Sequence, residues 1–111
     1  MRACMVYING REAGTLKETD KHQYIFTYNP IYVDKHKSMP VCLSMPVRKE
    51  PYISDNLFPY FFNMLSEGAN RRMQSMLLHI DEKDDFGILL ATAQFDAIGA
   101  VTVKPIEDVT E

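Results

Sequence analysis

The amino-acid sequence predicts a small α+β domain in which about three helices pack on a mainly antiparallel sheet or partial barrel. Residues 4–45 contain several stretches in which apolar residues alternate, which is the period of a β-strand. Residues 54–93 instead repeat their apolar residues at helical spacing, and one closing strand pattern follows at 100–103. This closing strand must return to pair with an early strand, which the pattern does not identify.

The first strands are predicted from alternation and from turn residues. Apolar residues alternate over 4–8, Asn9-Gly10 supplies the positive φ of a tight hairpin, and a returning strand covers 13–16. A third strand over 24–28 alternates aromatic residues and ends at Asn29-Pro30. A fourth is predicted over 41–45, where the flanking prolines limit it to a short strand or a sheet edge.

The first helix is predicted to begin after Ser54-Asp55-Asn56, whose side-chain oxygens can cap it. Apolar residues recur at helical spacing over 57–65, and Gly68 is the expected C-terminal cap. Pro59 fits only in the first turn, where its missing N–H does no harm.

The second helix has the clearest pattern in the chain. Its predicted buried face follows the i, i+4, i+7, i+8, i+11 rule and consists of Ala69, Met73, Met76, Leu77 and Ile80. The residues predicted to point outward are Arg71, Arg72, Gln74 and Ser75.

A third helix is predicted to be capped by Asp84 or Asp85 and to bury Phe86, Leu89, Leu90 and Ala93. A turn over 96–99 then leads into the closing strand. Asp85-Phe86-Gly87 also spells the magnesium-binding tripeptide of protein kinases, but no glycine-rich loop, strand lysine or catalytic loop accompanies it. We therefore interpret Phe86 as the first core residue of the helix.

Length and composition favour a single domain over residues 1–111, with an acidic tail from about 106 to 111 that is expected to fray. A net charge of −3 disfavours direct nucleic-acid binding, because phosphates require clustered positive charge. The first residues lack a secretory signal, and no apolar run approaches the roughly 18 residues of a membrane span. We expect a cytoplasmic protein without membrane contact.

The sequence indicates neither an enzyme nor a cofactor site. The cysteines and histidines lack the spacing of a metal site, and no base lies near a candidate nucleophile. Cys4 and Cys42 each lie in an apolar, strand-like run, which favours free thiols over a disulfide.

The aromatic cluster around the first helix is explained mainly by core packing, but some residues fall beside the core face and are candidates for a protein interface. The candidate interface residues are Tyr60, Met64, Arg71 and Arg72, with Arg48 and Lys49 as rim charges. The alternative interpretation of the basic pairs is an ordinary solvated surface.

Five short segments occur in the order found in the amino-terminal subdomain of HipA-type serine/threonine kinase toxins, which this chain resembles over roughly residues 4–105. They are GTL at 14–16, FTYNP at 26–30, LSMPV at 43–47, YFFNMLSEG at 60–68 and GAV at 99–101. The chain departs from the family pattern at Ser66, where a proline is usual, and at 94–96, where Gln-Phe-Asp replaces Gly-Arg-Asp.

The resemblance implies a domain without catalytic residues, because the family's nucleotide-binding and catalytic parts follow this subdomain. It further implies a HipS-like antitoxin or regulatory subunit of a toxin-antitoxin system. Such a subunit binds a separately encoded HipA-type kinase core, with a HipB-like helix-turn-helix repressor as a further partner. The alternatives are a scaffold subunit that completes a split active kinase, direct DNA contact beside a repressor, and the N-terminal fragment of a full-length kinase.

Overall fold

A five-stranded antiparallel sheet and four helices make up the part of the chain that the computed structural model describes, which comprises residues 2–36, 39–63, 65, 68–92 and 101–106. The strands lie in the order β4-β3-β2-β1-β5. Their bounds are β1 Arg2–Ile8, β2 Arg11–Glu18, β3 Tyr24–Tyr28, β4 Tyr52–Ser54 and β5 Val101–Ile106. The helices are α1 Pro30–Lys35, α2 Pro59–Phe62, α3 Gly68–Leu78 and α4 Asp85–Thr92. The predicted α+β class is confirmed, with one helix more than expected.

The β1–β2 hairpin forms as predicted. Asn9 and Gly10 both have positive φ, 53° and 81°, which gives the backbone twist that a two-residue hairpin turn requires. Gly14 allows β3 to approach β2 closely, since a Cβ built at this position would lie 2.4 Å from the carbonyl oxygen of Thr27. The predicted third strand is also confirmed as β3.

The closing strand β5 pairs antiparallel with β1 and thereby forms the edge opposite β4. It runs through Pro105, which is tolerated because an edge strand needs only half of its backbone donors for the sheet. Ile106, which was expected to belong to the fraying tail, is instead the last residue of β5 and lies opposite Ala3. Residues 107–111 lie outside the described part of the chain, as do Ala93 and the turn predicted over 96–99.

The core lies between one face of the sheet and the helices. Tyr32 of α1 stacks on Tyr28, Phe61 of α2 contacts Phe26, and Phe86 of α4 contacts Tyr24. The side chains that are almost fully buried include Cys4, Val6, Leu16, Phe26, Tyr28, Phe61, Phe86, Ile88, Leu89 and Val103. Phe86 is therefore a core residue of a capped helix, as predicted.

The strand predicted over 41–45 is wrong, because this segment forms a turn held by the hydroxyl of Tyr28. That hydroxyl accepts a hydrogen bond from Val41 N at 2.9 Å and donates one to Met45 O at 2.6 Å. Leu43 is 94% exposed, so the alternation of Val41, Leu43 and Met45 does not define one buried face. Cys42 accordingly lies in a turn, whereas Cys4 lies in β1, and both thiols are free.

The fourth strand of the sheet is β4, which the sequence pattern did not reveal. It is only three residues long and pairs with β3 at the sheet edge. Ser54 is consequently a strand residue, and its hydroxyl accepts a hydrogen bond from Asn56 N instead of capping a helix.

Helix α2 is shorter than predicted. It begins at Pro59, in the first turn as expected, and Leu57 and Phe58 are buried before the helix begins. Gly68 is the first residue of α3 and not the cap of the preceding helix. The helix over 30–35 was not predicted, although Pro30 at its first position is a common start signal.

Helix α4 begins as predicted. Asp84 Oδ1 accepts a hydrogen bond from Gly87 N at 3.1 Å, which is the contact of an N-capping side chain. Phe86, Ile88 and Leu89 are fully buried. Helix α3 packs on α4 and forms an outer layer of the domain.

Candidate protein-docking surface

Two polar side chains of α3, Arg71 and Ser75, point toward the protein, opposite to the prediction, whereas Arg72 is exposed as predicted. Arg71 pairs with Asp85 through Nη2 and Oδ1 and donates a second hydrogen bond from Nε to Glu82 O at 3.0 Å. Its side chain is only 11% exposed. Ser75, one turn later on the same side of the helix, donates its hydroxyl to Ile80 O. These contacts fix the rotation of α3 about its own axis.

The apolar side chains of α3 therefore face outward. Met73 is 61%, Met76 is 76% and Leu77 is 73% exposed. We call these three residues, with the exposed Arg72 at their rim, the α3 outer face. The predicted buried face is thus wrong for Met73, Met76 and Leu77, while Ile80 does pack against the core.

The reversal has a physical cause that the periodicity cannot reveal. An amphipathic pattern places apolar residues on one side of a helix, but it does not say what that side contacts. Here Asp85 and carbonyl groups of the segment before α4 accept hydrogen bonds from the polar side of α3. Arg71 therefore keeps its partners when that side is buried. An apolar stripe that is rigidly presented and outward-facing is characteristic of a protein interaction site.

A second polar cluster joins the sheet to the segment before α4. Arg2 donates from Nε to Glu18 Oε1 at 2.8 Å and makes two hydrogen bonds of 2.9 Å to the carboxylate of Asp84. Glu18 is only 7% exposed and also accepts a hydrogen bond of 2.9 Å from the Tyr24 hydroxyl. The Arg2 guanidinium lowers the pKa of Asp84 below its usual value. Because these groups pair with one another, we interpret the cluster as structural.

The candidate interface residues from the sequence lie on three segments. Tyr60 on α2 is half-buried and packs edge-to-face on Phe61 with ring centroids 5.5 Å apart. Arg72 is exposed on α3, whereas Arg71 is engaged by Asp85. Met64 lies outside the described residues.

Arg48 and Lys49 are exposed in the loop before β4. The Arg48 guanidinium lies 3.8 Å from the centroid of the Tyr52 ring and donates to the carbonyl oxygens of Glu50 and Pro51. Sequence reasoning did not assign Met73, Met76 and Leu77 to an interface, because their spacing is also that of a buried helix face. The sequence offered one signal that the polar side of α3 contacts another segment. The helix contains two arginines and no acidic residue with which they could pair inside the helix.

Within the described ranges, no three or more His, Cys, Asp or Glu side chains are grouped so that they could hold a metal ion. None of the helices in those ranges is long and apolar enough to cross a membrane.

The fold and the sequence are those of the HipA N-terminal domain family. This chain belongs to that family, because the family model for the HipA N-terminal domain matches residues 4–104. The chain is also similar to a solved structure of the N-terminal domain of HipA toxin, with a TM-score of 0.71 and 30% sequence identity. That match covers 97% of this chain and 95% of the solved one.

Two relatives differ in how much of their length this domain occupies. An uncharacterised protein of Haemophilus influenzae is 35% identical over 104 residues, which cover 94% of this chain and 92% of that protein. A Sinorhizobium fredii protein named "Putative kinase Y4mE" is 29% identical over 106 residues, which cover 95% of this chain. This chain spans only 25% of the length of the Sinorhizobium protein.

Proposed function

We propose that this chain is a non-catalytic, antitoxin-like regulatory subunit that binds a separately encoded HipA-type kinase core and controls its activity. The observation that carries the proposal is the α3 outer face, whose three apolar side chains are 61–76% exposed while the polar side of the same helix is held inward. A helix that is fixed in this orientation needs little reorganisation to dock, which reduces the entropic cost of binding.

The family assignment supports the choice of partner. In the Sinorhizobium relative, a domain like this one makes up a quarter of a protein whose name describes a kinase. In the Haemophilus relative, the matched region makes up 92% of the protein, which is the arrangement expected of a separate subunit. A kinase core that lacks this domain would offer the complementary surface.

The expected mode of control is steric. In the polar clusters that the structure describes, the side chains pair with one another, as Arg2 does with Glu18 and Asp84. We interpret these pairs as stabilising the fold. Burying Met73, Met76 and Leu77 against a partner would contribute about 1.5–3 kcal/mol for each fully buried side chain, offset by the cost of association. A subunit docked in this way restricts nucleotide or substrate access by its bulk. A kinase partner of this type places the complex in the cytoplasm.

Binding and activity are measured with a purified HipA-type kinase core that lacks this domain. We expect wild-type protein to bind at micromolar or lower concentration and to lower kinase autophosphorylation. The double variant Met76→Glu/Leu77→Glu should bind at least about tenfold more weakly, since two charges would have to be desolvated in the interface.

Ile31→Glu is the matched control, because Ile31 is 69% exposed on α1 and lies outside the α3 outer face. Its affinity should equal that of wild type. Absence of binding at micromolar concentration would overturn the proposal, and equal affinity for the α3 double variant would remove α3 from it.

A second candidate function is a scaffold subunit that completes an active kinase from two chains. The specific observation in its favour is the Sinorhizobium relative, in which the domain belongs to the same chain as the rest of a kinase-named protein. The same assay separates the two functions: a scaffold raises the activity of the kinase core when added, whereas an antitoxin-like subunit lowers it. A HipB-like repressor as an additional partner stays a prediction.

A further inference from the structure

The sheet has a second face that none of the ring contacts to α1, α2 and α4 reaches. Strand pairing arranges the side chains on this face in rows across the sheet. One row runs through Ile53, Ile25, Lys17, Ala3 and Ile106. The next row runs through Thr27, Thr15, Met5 and Lys104. We call these nine residues the open sheet face; eight of them are at least partly exposed, and Ala3 is only 2% exposed.

The open sheet face is more apolar than a solvated sheet face usually is. The face of an antiparallel sheet that meets water normally carries polar residues. Here Ile53 is 58% exposed, and Ile25, Ile106 and Met5 are each partly exposed. Within the described ranges, the helices that contact the sheet lie on its other face, so these side chains are available to a partner.

The charges on the open sheet face are positive. Lys17 and Lys104 are both exposed, and Lys104 Nζ lies 5.6 Å from the centroid of the neighbouring Tyr7 ring. None of the nine residues is acidic, although the chain as a whole carries a net charge of −3. Among the strand residues that the structure describes, the nearest carboxylate in register is that of Glu12, which pairs opposite Tyr7 one row further along. A complementary partner therefore presents apolar side chains together with carboxylates.

The size of the face favours a single segment over a whole domain. Five strands spaced about 4.8 Å apart span roughly 19 Å, and the two rows add about 7 Å plus side-chain width, which gives on the order of 300 Å². A standard interface buries about 800 Å² on each partner. A second copy of the chain is disfavoured as well, because face-to-face packing would bring the lysines of the two copies together.

The spacing of the two lysines suggests the form of that segment. Lys17 and Lys104 lie on either side of β1 and two residues apart along it, so their Cα atoms are about 12 Å apart. In an α-helix, positions i and i+7 are about 10.5 Å apart along the axis and about 20° apart around it, and positions i and i+8 are about 12 Å and about 80° apart.

We propose that the open sheet face binds an amphipathic helix of a protein partner, whose apolar side contacts the isoleucines and whose carboxylates, seven or eight positions apart, pair with Lys17 and Lys104. Such a helix would add a third layer to the domain, on the side of the sheet opposite α4. The inference does not depend on the proposed kinase partner, because α3 packs on α4 on the other side.

The test uses two synthetic helical peptides of identical apolar residues. One carries Glu at i and i+8 beside the apolar stripe, and the other carries Lys at the same positions. Binding to ¹⁵N-labelled protein is followed by amide chemical shifts. We expect the Glu peptide to shift amides of β1, β2 and β3 and to bind at least about tenfold more tightly than the Lys peptide.

Charge reversal with Lys17→Glu/Lys104→Glu should invert this preference, and the neutral Lys17→Gln/Lys104→Gln variant should remove it. The matched control Lys21→Glu/Lys35→Glu makes the same change of net charge at exposed positions in the β2–β3 turn and on α1, and should bind like wild type.

Three outcomes would overturn the proposal: no binding of the Glu peptide, shifts confined to α3, or equal affinity for both peptides. Displacement of the Glu peptide by a single-stranded oligonucleotide at low salt would instead assign the face to nucleic acid. Failure of the kinase-binding experiment has no bearing on these results.

Discussion

At the residue scale, Arg2 and Tyr28 each connect parts of the chain that are distant in sequence. Arg2 bridges Glu18 on β2 and Asp84 before α4, which are separated by 66 positions along the chain. Tyr28 holds the turn over 41–45 through two hydrogen bonds with backbone groups. Both residues act through polar atoms in regions that are at least partly buried, where lost partners are costly.

The pairing of Arg2 with Asp84 predicts a dependence of stability on acid pH. Because Arg2 lowers the folded-state pKa of Asp84, this carboxylate adds stability that is present above its unfolded pKa of about 3.9. That contribution is lost as the pH falls through the lowered folded-state value. The free energy of unfolding of Asp84→Asn should therefore fall less steeply below about pH 4 than that of wild type.

Urea denaturation at several acid pH values measures this difference. Asparagine can still cap α4, so the substitution removes the charge and keeps the helix start. Asp34→Asn, at an exposed carboxylate on α1, is the control and should retain the wild-type pH dependence. Parallel curves for Asp84→Asn and wild type would contradict the expected role of the ion pair.

The Tyr28 hydroxyl predicts a loss of stability when it is removed. Burial raises the pKa of Tyr28 to about 12, so the hydroxyl is a donor at neutral pH. Tyr28→Phe leaves Val41 N and Met45 O without this partner and should lower the free energy of unfolding by about 2 kcal/mol. Tyr52→Phe removes a solvent-exposed hydrogen bond to Pro46 O and should cost less than about 1 kcal/mol in the same denaturation experiment.

At the element scale, α3 shows that a helix can be positioned by its polar side. Arg71 and Ser75 lie one turn apart and are both bound to the segment over 80–85, whereas Met73, Met76 and Leu77 face outward. The packing of this helix on α4 therefore depends on an ion pair and on hydrogen bonds in addition to apolar contact.

This arrangement predicts an unusual order of mutational effects. Arg71→Ala removes the Arg71 hydrogen bonds from Asp85 and from Glu82 O and should lower the free energy of unfolding by about 1–3 kcal/mol. Met76→Ala and Leu77→Ala should each change it by less than about 0.5 kcal/mol, because exposed side chains contribute little to stability. Thermal or urea denaturation of the three variants tests this order, and a larger effect for Met76→Ala or Leu77→Ala would mean that α3 buries its apolar side.

The early strands could be predicted because each carries a local signal. Asn9-Gly10 favours a tight hairpin turn through its own backbone preferences, and the aromatic alternation of β3 fits a strand with one buried face. The capped start of α4 was equally local, since Asp84 bonds to a backbone group only three residues away. In each case the residues that determine the structure are neighbours in sequence.

The elements that were mispredicted depend on contacts between distant residues. The sequence pattern of Val41 and Met45 is that of a strand, but hydrogen bonds between their backbone groups and the Tyr28 hydroxyl hold them in a turn. Strand β4 depends on its pairing with β3 at the edge of the sheet. The candidate site was missed for the same reason. The orientation of Met73, Met76 and Leu77 is determined by Asp85 and the carbonyl group of Glu82, which no periodicity within α3 can indicate.

At the scale of the whole molecule, two apolar surfaces lie on opposite sides of one small domain. The α3 outer face carries Arg72 at its rim, and the open sheet face carries Lys17 and Lys104. Both are positive regions of a chain whose net charge is −3, so acidic groups are concentrated elsewhere, in part around the groove that contains Asp55, Asp81, Asp84 and Asp85. Partners with exposed carboxylates are therefore guided to these two sides and not to the groove.

The two surfaces should act independently. Met76→Glu/Leu77→Glu is expected to weaken kinase binding and leave the affinity for the Glu peptide unchanged, and Lys17→Glu/Lys104→Glu is expected to do the reverse. For each ligand, the binding free energy of the combined variant should match that of the variant altered at the ligand's own surface to within about 0.5 kcal/mol, as is usual for separated sites. Titration calorimetry of the four proteins measures this, and a larger deviation would indicate that the surfaces communicate.

The inward polar side of α3 also has a consequence for how members of the family can diverge. Since Arg71 and Ser75 position the helix, positions 73, 76 and 77 can change during evolution without altering where the helix lies. Lineages can then exchange these side chains to match a changing partner while the scaffold stays folded. Duplicated copies of such a domain could acquire separate partners within one cell through a handful of substitutions on a single helix.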